Sequence, residues 1–170
     1  MRARSARGFT LIEIVFVVGI VGALAVFASA AIWNSIVSYR SGSAVSKIID
    51  DIRFAQQQAR VRNGWFGIRF QADPVNRYNV YSTDGTTDTD VVNPANRATT
   101  LEVDLIGEYQ VSISAVDIDG GDKVEFDPMG TPYVDKEGSA LSSAGTVTIT
   151  SGGTNKVIQI FKNTGRVEVQ

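Results

Sequence analysis

The stretch Gly8-Phe9-Thr10-Leu11-Ile12-Glu13 begins the segment that decides the fold of this chain. The residues that follow, Ile14 to Tyr39, include no charged side chain. As a helix rising about 1.5 Å per residue they would extend roughly 39 Å, more than the ~30 Å hydrocarbon core of a bilayer. The basic residues near this segment are Arg2, Arg4 and Arg7 before it and Arg40 after it. The pattern predicts a membrane-spanning helix with a cytoplasmic N-terminus and the rest of the chain outside.

Glu13 is the unusual residue of this segment, because a carboxylate within a membrane helix costs on the order of 2.5–3.5 kcal/mol at the centre and less near the interface. One interpretation is that Glu13 lies at the level of the lipid headgroups and is solvated. The other is that a positively charged partner meets it inside the membrane. The residues alone leave both interpretations open.

A second alternative concerns Ala28-Ser29-Ala30, which has the small-x-small pattern of an ordinary secretory cleavage site. Cleavage there would release an exported, soluble domain that begins at Ala31. Three features argue against it: the uncharged run continues to Tyr39, Glu13 is atypical of a signal peptide, and the apolar region before the site is long.

The apolar pattern continues at helical spacing beyond the first segment. The recurring residues are Val45, Ile48, Ile52, Ala55 and Ala59, which is the pattern of an amphipathic helix. Asn63-Gly64 is a typical helix end, and Arg60 and Arg62 suit the negative end of the helix dipole. We therefore predict one long helix from Phe9 to Arg62. Gly42 is the place where a kink would be expected, since glycine costs a helix about 1 kcal/mol relative to alanine.

From Trp65 the apolar period changes to two, which predicts a hairpin over Phe66 to Tyr81. Residues Ser82 to Thr100 are polar and predict a long exposed loop. Further strands are predicted at Leu101 to Ile106, Gln110 to Ile118, Lys123 to Asp127, Thr146 to Thr150, Lys156 to Phe161 and Arg166 to Val169. Glycine-rich corners such as Asp119 to Asp122 and Ser151 to Thr154 are typical of turns. One helix with six to eight short strands predicts an α+β fold.

The chain of 170 residues contains no histidine and no cysteine. The commonest general base and the commonest zinc ligands are therefore missing. We predict no catalytic residue, no cofactor and no metal site, and hence no enzyme. Two aspartate clusters, Asp117, Asp119, Asp122 and Asp84, Asp88, Asp90, leave calcium as an open alternative, although neither has the full spacing of a known calcium loop. The formal net charge is −2, and it would be −5 without Arg2, Arg4 and Arg7, so nucleic acid is an unlikely partner.

The stretch Gly8 to Glu13, with arginines before it and the apolar run after it, resembles the class III signal of type IV pilins and type II secretion pseudopilins. The resemblance implies that a prepilin peptidase cuts between Gly8 and Phe9 and methylates the new amine of Phe9. It also implies that Glu13 pairs with the methylated amine of a neighbouring subunit during assembly. The implied organisation is a leader at 1–8, a transmembrane and filament-core helix at 9–39, an amphipathic helix half at 40–63 and a β-rich periplasmic domain at 64–170.

Three later segments resemble the GspH/FimT branch of minor pseudopilins and pilins. Ala55 to Asn63 resembles the A-R-x-x-A-x-x-R-N helix end, Val124 to Gly130 the F-x-x-x-G turn, and Val157 to Val167 the final hairpin. Gln56 stands where this branch often has arginine. Glu168 stands where some DNA-binding members have the second arginine of a G-R-x-R close, which further disfavours nucleic acid.

The resemblance implies a pilin-like fold and a structural function, as a minor pseudopilin or pilin in a type II secretion pseudopilus or a type IV pilus. The implied partners are the prepilin peptidase, other pilin or pseudopilin subunits and the inner-membrane assembly platform. The implied location is the inner membrane, crossed once, with a periplasmic C-terminal domain. The alternative is a binding module at the filament tip for a surface, a secreted substrate or DNA. Its acidic loop, Ser82 to Thr100, would favour a cationic or polar ligand.

Overall fold

The computed structural model describes residues 9–170, and within them every side chain except those of residues 27–31. The chain divides after Val37 into two compact units, and we call residues 38–170 the head. Helix α1 (Leu11–Arg62) is the long helix predicted from the sequence. Within the described part of the chain, no stretch of helix reaches the combination of length and apolar character that crossing a bilayer needs.

Helix α1 begins and ends with local hydrogen bonds that its sequence supplies. At its start the backbone N–H of Glu13 donates to the carbonyl and to Oγ1 of Thr10, at 3.1 and 3.3 Å. At its end Asn63 adopts a left-handed φ of 50°, and the N–H of Gly64 donates to the carbonyl of Ala59. The predicted end at Arg62 is confirmed, and the helix continues through Gly42 without interruption.

The head has one hydrophobic core, to which α1 contributes a single stripe of side chains. The buried residues of the stripe are Ala44, Val45, Ile48, Ile52, Ala55 and Ala59. Their spacing of three and four places them on one face of the helix, as the amphipathic pattern predicted.

Two antiparallel sheets complete the head. The first comprises β1 (Trp65–Gln71), β2 (Arg77–Thr83), β3 (Asp88–Asp90), β4 (Glu102–Asp104), β6 (Lys123–Phe126) and β7 (Pro132–Tyr133). Its order is β3-β2-β1-β6-β7, with β4 also paired to β2. The second comprises β5 (Ser112–Asp117), β8 (Gly145–Ser151), β9 (Thr154–Ile160) and β10 (Val167–Val169), in the order β10-β9-β8-β5. The predicted α+β class is confirmed.

Three elements differ from the sequence-based prediction, and the smallest is β7, a two-residue strand that was not predicted. The strand predicted at Leu101 to Ile106 ends at Asp104, and a short helix, α2 (Leu105–Tyr109), follows it. The reason is local, because the carboxylate of Asp104 accepts a hydrogen bond from the N–H of Gly107 at 2.9 Å and caps the helix. The segment Ser82 to Thr100 is also more ordered than a plain loop, since it contains β3.

A buried carboxylate attaches α1 to the first sheet. Asp51 is only 6% exposed and accepts a hydrogen bond from the Tyr78 hydroxyl at 2.7 Å. Lys47, one helical turn earlier, donates to both carboxylate oxygens at 2.7 Å. Burial and the adjacent Asp51 carboxylate raise the pKa of the Tyr78 hydroxyl, so this group remains a proton donor at any physiological pH.

Candidate functional site

Of the predicted processing and assembly residues, Gly8 lies outside the described residues. Phe9 precedes α1 and is 77% exposed, and Glu13 lies in the first helical turn. The spacing Thr10-x-x-Glu13 is that of a capping box, a local signal that the sequence analysis missed. A carboxylate in the first turn also interacts favourably with the positive end of the helix dipole. Glu13 therefore has a helix-starting role in addition to the predicted pairing.

The described side chains at the start of α1 form an apolar surface. The exposed large apolar residues between Leu11 and Val26 are Leu11, Ile12, Ile14, Val15, Phe16, Val17, Val18, Ile20, Val21, Leu24 and Val26. Such a surface is far larger than the isolated apolar residues normally found in contact with water. Exposure of so many apolar side chains to water is unfavourable.

The three segments that carry the family resemblance meet in the head, at a place we call the junction (Gln56, Arg60, Met129, Gly130, Thr164 and Gly165). The side-chain amide of Gln56 donates to the carbonyls of Gly130 and Thr164, at 2.7 and 2.8 Å. Arg60, one turn later on α1, donates through Nε to the carbonyl of Met129 at 3.0 Å. The helix end thus holds both the turn after β6 and the hairpin between β9 and β10.

Glycine is required at the junction for two physical reasons. Gly165 has a φ of +62°, a left-handed conformation that L side chains rarely adopt. A Cβ atom at Gly165 would also lie 2.6 Å from the Gln56 amide nitrogen and 2.8 Å from the Phe126 ring. The F-x-x-x-G and T-G-R segments are therefore structural motifs that let three elements approach closely. Gln56, the departure from the family pattern, supplies the two donors that the two carbonyls need.

Glu125, on the first sheet, is a second buried carboxylate. We call this residue and its hydrogen-bond partners the Glu125 cluster (Tyr81, Lys123, Glu125 and Lys136). Glu125 is 1% exposed and accepts from the Tyr81 hydroxyl at 2.8 Å, Lys123 Nζ at 3.0 Å and the N–H of Lys136 at 2.7 Å. The Lys136 ammonium donates in turn to the carbonyl of Asp84. The cluster therefore connects β6 to the turn that leads into β3.

Electrostatics favour the protonated forms of Tyr81 and Lys123 in the Glu125 cluster. Burial, followed by the hydrogen bond to Glu125, raises the pKa of the Tyr81 hydroxyl. Burial disfavours the charged form of Lys123, but hydrogen bonds to Asp135 and Glu125 outweigh it and raise the pKa of Lys123. The Tyr81 hydroxyl and the Lys123 ammonium thus keep their protons at neutral pH.

A cleft lies between the C-terminal part of α1 and the segment 82–97. Its volume is about 450 Å³. The residues that line it are Phe54, Gln58 and Arg62 from α1, and Ser82, Thr89, Asp90, Val91, Val92, Asn93, Pro94 and Arg97 from the segment. It is partly apolar and partly basic, which is a combination suited to binding rather than to catalysis.

The aspartate clusters that left calcium open are directed at protein donors. Asp84 accepts from the N–H groups of Thr86 and Thr87, which lowers its pKa to about 2. Asp119 accepts from the backbone and hydroxyl groups of Ser142 and Ser143. No group of three or more acidic side chains among residues 9–170 is placed to hold a metal ion.

Comparison with known proteins agrees with this geometry. The sequence model of the family described as type II transport protein GspH matches residues 44–164. No curated protein sequence matches the chain significantly. Structures of the minor pseudopilin EpsH from the type II secretion system of Vibrio cholerae are similar to this chain with a TM-score of 0.56 at 12% identity. One of them covers 76% of this chain and 94% of its own.

The type IV minor pilin FimU of Pseudomonas aeruginosa gives a TM-score of 0.50 at 14% identity, covering 76% of this chain and 87% of that chain. At these identities the structural likeness shows the fold, a long N-terminal helix with antiparallel sheets. The family match, in contrast, spans most of the chain and includes the helix end, the β6 turn and most of the final hairpin. These matches confirm the predicted resemblance, and the chain belongs to the GspH family of type II transport proteins.

Proposed function

We propose that this chain is a minor subunit of a pseudopilus or pilus, added to the filament through α1. The observation that carries the proposal is the GspH family match over residues 44–164. The exposed apolar surface of α1 between Leu11 and Val26 supports it, because a filament core would cover those side chains. In this role the chain has no catalytic residue, and its chemistry is assembly.

The proposal includes maturation of the N-terminus. The prepilin peptidase cuts between Gly8 and Phe9, removes the leader at 1–8 and methylates the amine of Phe9. The G-F-T-L-I-E motif and the preceding arginines support this step. Phe9 precedes the first helical residue, Leu11, and its side chain is exposed. Both features suit a site that a protease must reach in extended form.

The proposal also includes a membrane stage. Residues 9–39 cross the inner membrane once, and residues 40–63 with the β-rich domain at 64–170 lie in the periplasm. The uncharged run from Ile14 to Tyr39 supports this topology. From the membrane, the inner-membrane assembly platform transfers the subunit to neighbouring pilin or pseudopilin subunits in the filament.

Assembly would pair Glu13 with the methylated amine of Phe9 on a neighbouring subunit. Because a carboxylate in an apolar environment is costly, a charged partner stabilises it only when the helices associate. Glu13 would then be required for the subunit to enter the filament. Its place in the first turn of α1, within the exposed apolar surface, supports this role.

Replacing Glu13 with glutamine tests the proposal. We expect the Glu13→Gln chain to be cleaved and inserted normally but to be depleted from sheared filaments by about tenfold or more, since the lost charge-assisted contact contributes about 1.5–3 kcal/mol. Glu108→Gln, which changes an exposed glutamate of α2, is the matched control and should assemble normally. Normal incorporation of Glu13→Gln, measured by quantitative mass spectrometry of filaments, would contradict the assembly role.

A further inference from the structure

The cleft has a helical wall whose residues share one face. Phe54, Gln58 and Arg62 recur every four residues along α1 and line the cleft together. The opposite wall places Val91, Val92 and Pro94 beside them. Val92 is 54% exposed, so an apolar side chain of the wall is open to solvent. The cleft therefore has an apolar floor. Its volume of about 450 Å³ is within the range of natural ligand sites.

The loop wall of the cleft is held in shape by its own backbone. The N–H of Asn93 donates to the carbonyl of Thr99 at 2.9 Å, and the N–H of Leu101 donates to the carbonyl of Val91 at 2.7 Å. The side-chain carbonyl of Asn93 accepts from the N–H of Ala95 at 2.9 Å. A wall built in this way is preorganised, and a ligand need not order it on binding.

The charged residues that line the cleft are two arginines, Arg62 and Arg97, and one aspartate, Asp90, so the lining has an excess of positive charge although the loop is rich in aspartate. Asp88 accepts from Arg69 at 2.5 Å and Asp90 from the Asn79 amide at 2.7 Å, so both carboxylates have protein partners. Arg62 and Arg97 make no ion pair with any carboxylate of the described residues. Arg62 lies only over the Phe66 ring, 5.7 Å from its centroid. Two unpaired guanidinium groups thus flank the apolar floor.

From this geometry we propose that the cleft is the docking site for an acidic segment of a neighbouring filament subunit, in which carboxylates flank an aliphatic or aromatic side chain. The inference rests on the proposed function. The apolar side chain would contact Phe54, Val92 and Pro94, while the carboxylates accept from Arg62 and Arg97. Guanidinium groups bind carboxylates with two parallel hydrogen bonds. Such a contact is strong, and it also fixes the orientation of the carboxylate.

The charge of this cleft reverses the expectation drawn from the loop sequence. Counting aspartates favours a cationic ligand for Ser82 to Thr100. In the folded chain Asp88 pairs with Arg69 and Asp84 accepts from a local turn, so that of these aspartates only Asp90 lines the cleft, where Arg62 and Arg97 outnumber it. An anionic partner is therefore the complementary one, and the apolar floor favours a protein segment over a nucleic acid backbone.

The test is site-specific photocrosslinking of the full chain in cells that assemble the filament. A photoreactive benzoylphenylalanine replaces Val92 in the cleft. In two other variants it replaces Leu24, on the apolar surface of α1, or the exposed Asn155, near the start of β9. Adducts are mapped to the residue by mass spectrometry. We expect the Val92 variant to crosslink another filament subunit within two residues of an aspartate or glutamate, and the Asn155 variant to give no such adduct.

The arginines provide the second arm of the test. Arg62→Gln combined with Arg97→Gln should reduce the Val92 adduct about tenfold or more, since each charge-assisted contact contributes more than a neutral hydrogen bond. Arg53→Gln, an exposed arginine of α1 that does not line the cleft, should leave the adduct unchanged. An adduct that survives the double substitution, or one mapped to a segment without a carboxylate, would overturn the proposed recognition.

The remaining outcomes separate this inference from the proposed function. If Leu24 captures filament subunits and Val92 captures nothing, the cleft is not a docking site, while the filament role stands. An adduct from Val92 to a second copy of this chain or to a secreted protein would overturn the assigned partner. If neither position captures a filament subunit, the proposed function fails and this inference fails with it.

Discussion

The Glu125→Ala chain is expected to lose about 3 kcal/mol of unfolding free energy, because removing one partner of a buried charge network leaves the other groups without a bond. The Tyr81 hydroxyl and the N–H of Lys136 would lose their acceptor inside the head. Lys123 would keep Asp135, at 2.9 Å, which limits the loss. Urea unfolding in detergent, followed by Trp65 fluorescence in a Trp33→Phe background, measures the difference.

Two further variants make the Glu125 prediction specific. Glu125→Gln keeps one acceptor oxygen, for either the Tyr81 hydroxyl or the N–H of Lys136, and we expect it to lose less than the alanine variant. Glu102→Ala removes an exposed carboxylate that lies 3.4 Å from Arg77, and such pairs contribute about 0.2–1 kcal/mol. Equal losses for Glu125→Ala and Glu102→Ala would show that the cluster does not stabilise the head. The effect matters for function, because the cluster holds the turn that leads into the cleft wall.

The second large effect is expected at the junction, for Gly165→Ala. The left-handed backbone costs a non-glycine residue about 1–2 kcal/mol, and the new Cβ would push against Gln56 and Phe126 for about 1–3 kcal/mol more. The Cβ position lies 2.6 Å from the Gln56 nitrogen and 2.8 Å from the Phe126 ring, so neither neighbour accepts it without moving. We expect a total loss of about 3 kcal/mol in the same urea experiment.

Gly153 provides the matched control for this substitution. Its φ of +79° imposes the same backbone strain, but no atom lies within 4 Å of its Cβ position. Gly153→Ala should therefore lose only the backbone part, about 1 kcal/mol. If Gly165→Ala and Gly153→Ala lose the same amount, the close approach of the three segments at the junction contributes nothing to stability.

Sequence patterns were sufficient where many residues repeat one signal. The extent of α1 follows from a long apolar run, an amphipathic stripe and an Asn-Gly end, and its predicted end at Arg62 agrees with the structure. The short elements α2 and β3 were missed for a physical reason. Leu105 continues the alternation of Leu101 and Val103 that is typical of a strand, but the carboxylate of Asp104 caps a helix that begins at Leu105. The strand β3, Asp-Thr-Asp, depends on its pairing with β2.

The candidate sites were only partly predictable, because they join residues that are distant in the chain. The resemblance singled out the three segments of the junction, but Gln56 contacts Gly130 and Thr164 across 74 and 108 positions. The alternation of Lys123 to Asp127 predicts a strand and gives no sign that Glu125 is buried beneath Tyr81. Likewise, the composition of Ser82 to Thr100 shows how many aspartates the loop has, but not which residues of the same chain they bond to. The placement of Arg62 of α1 beside Arg97 of the loop therefore decided the charge of the cleft.

The most direct test of the filament role is the intact mass and N-terminal sequence of the protein, isolated from membranes of cells with and without the prepilin peptidase. We predict a mature chain that begins at N-methylated Phe9 only when the peptidase is present, and an uncleaved chain when it is absent. A chain that begins at Ala31 in both strains would instead be an exported, soluble domain, and would contradict the proposal that this protein is a filament subunit.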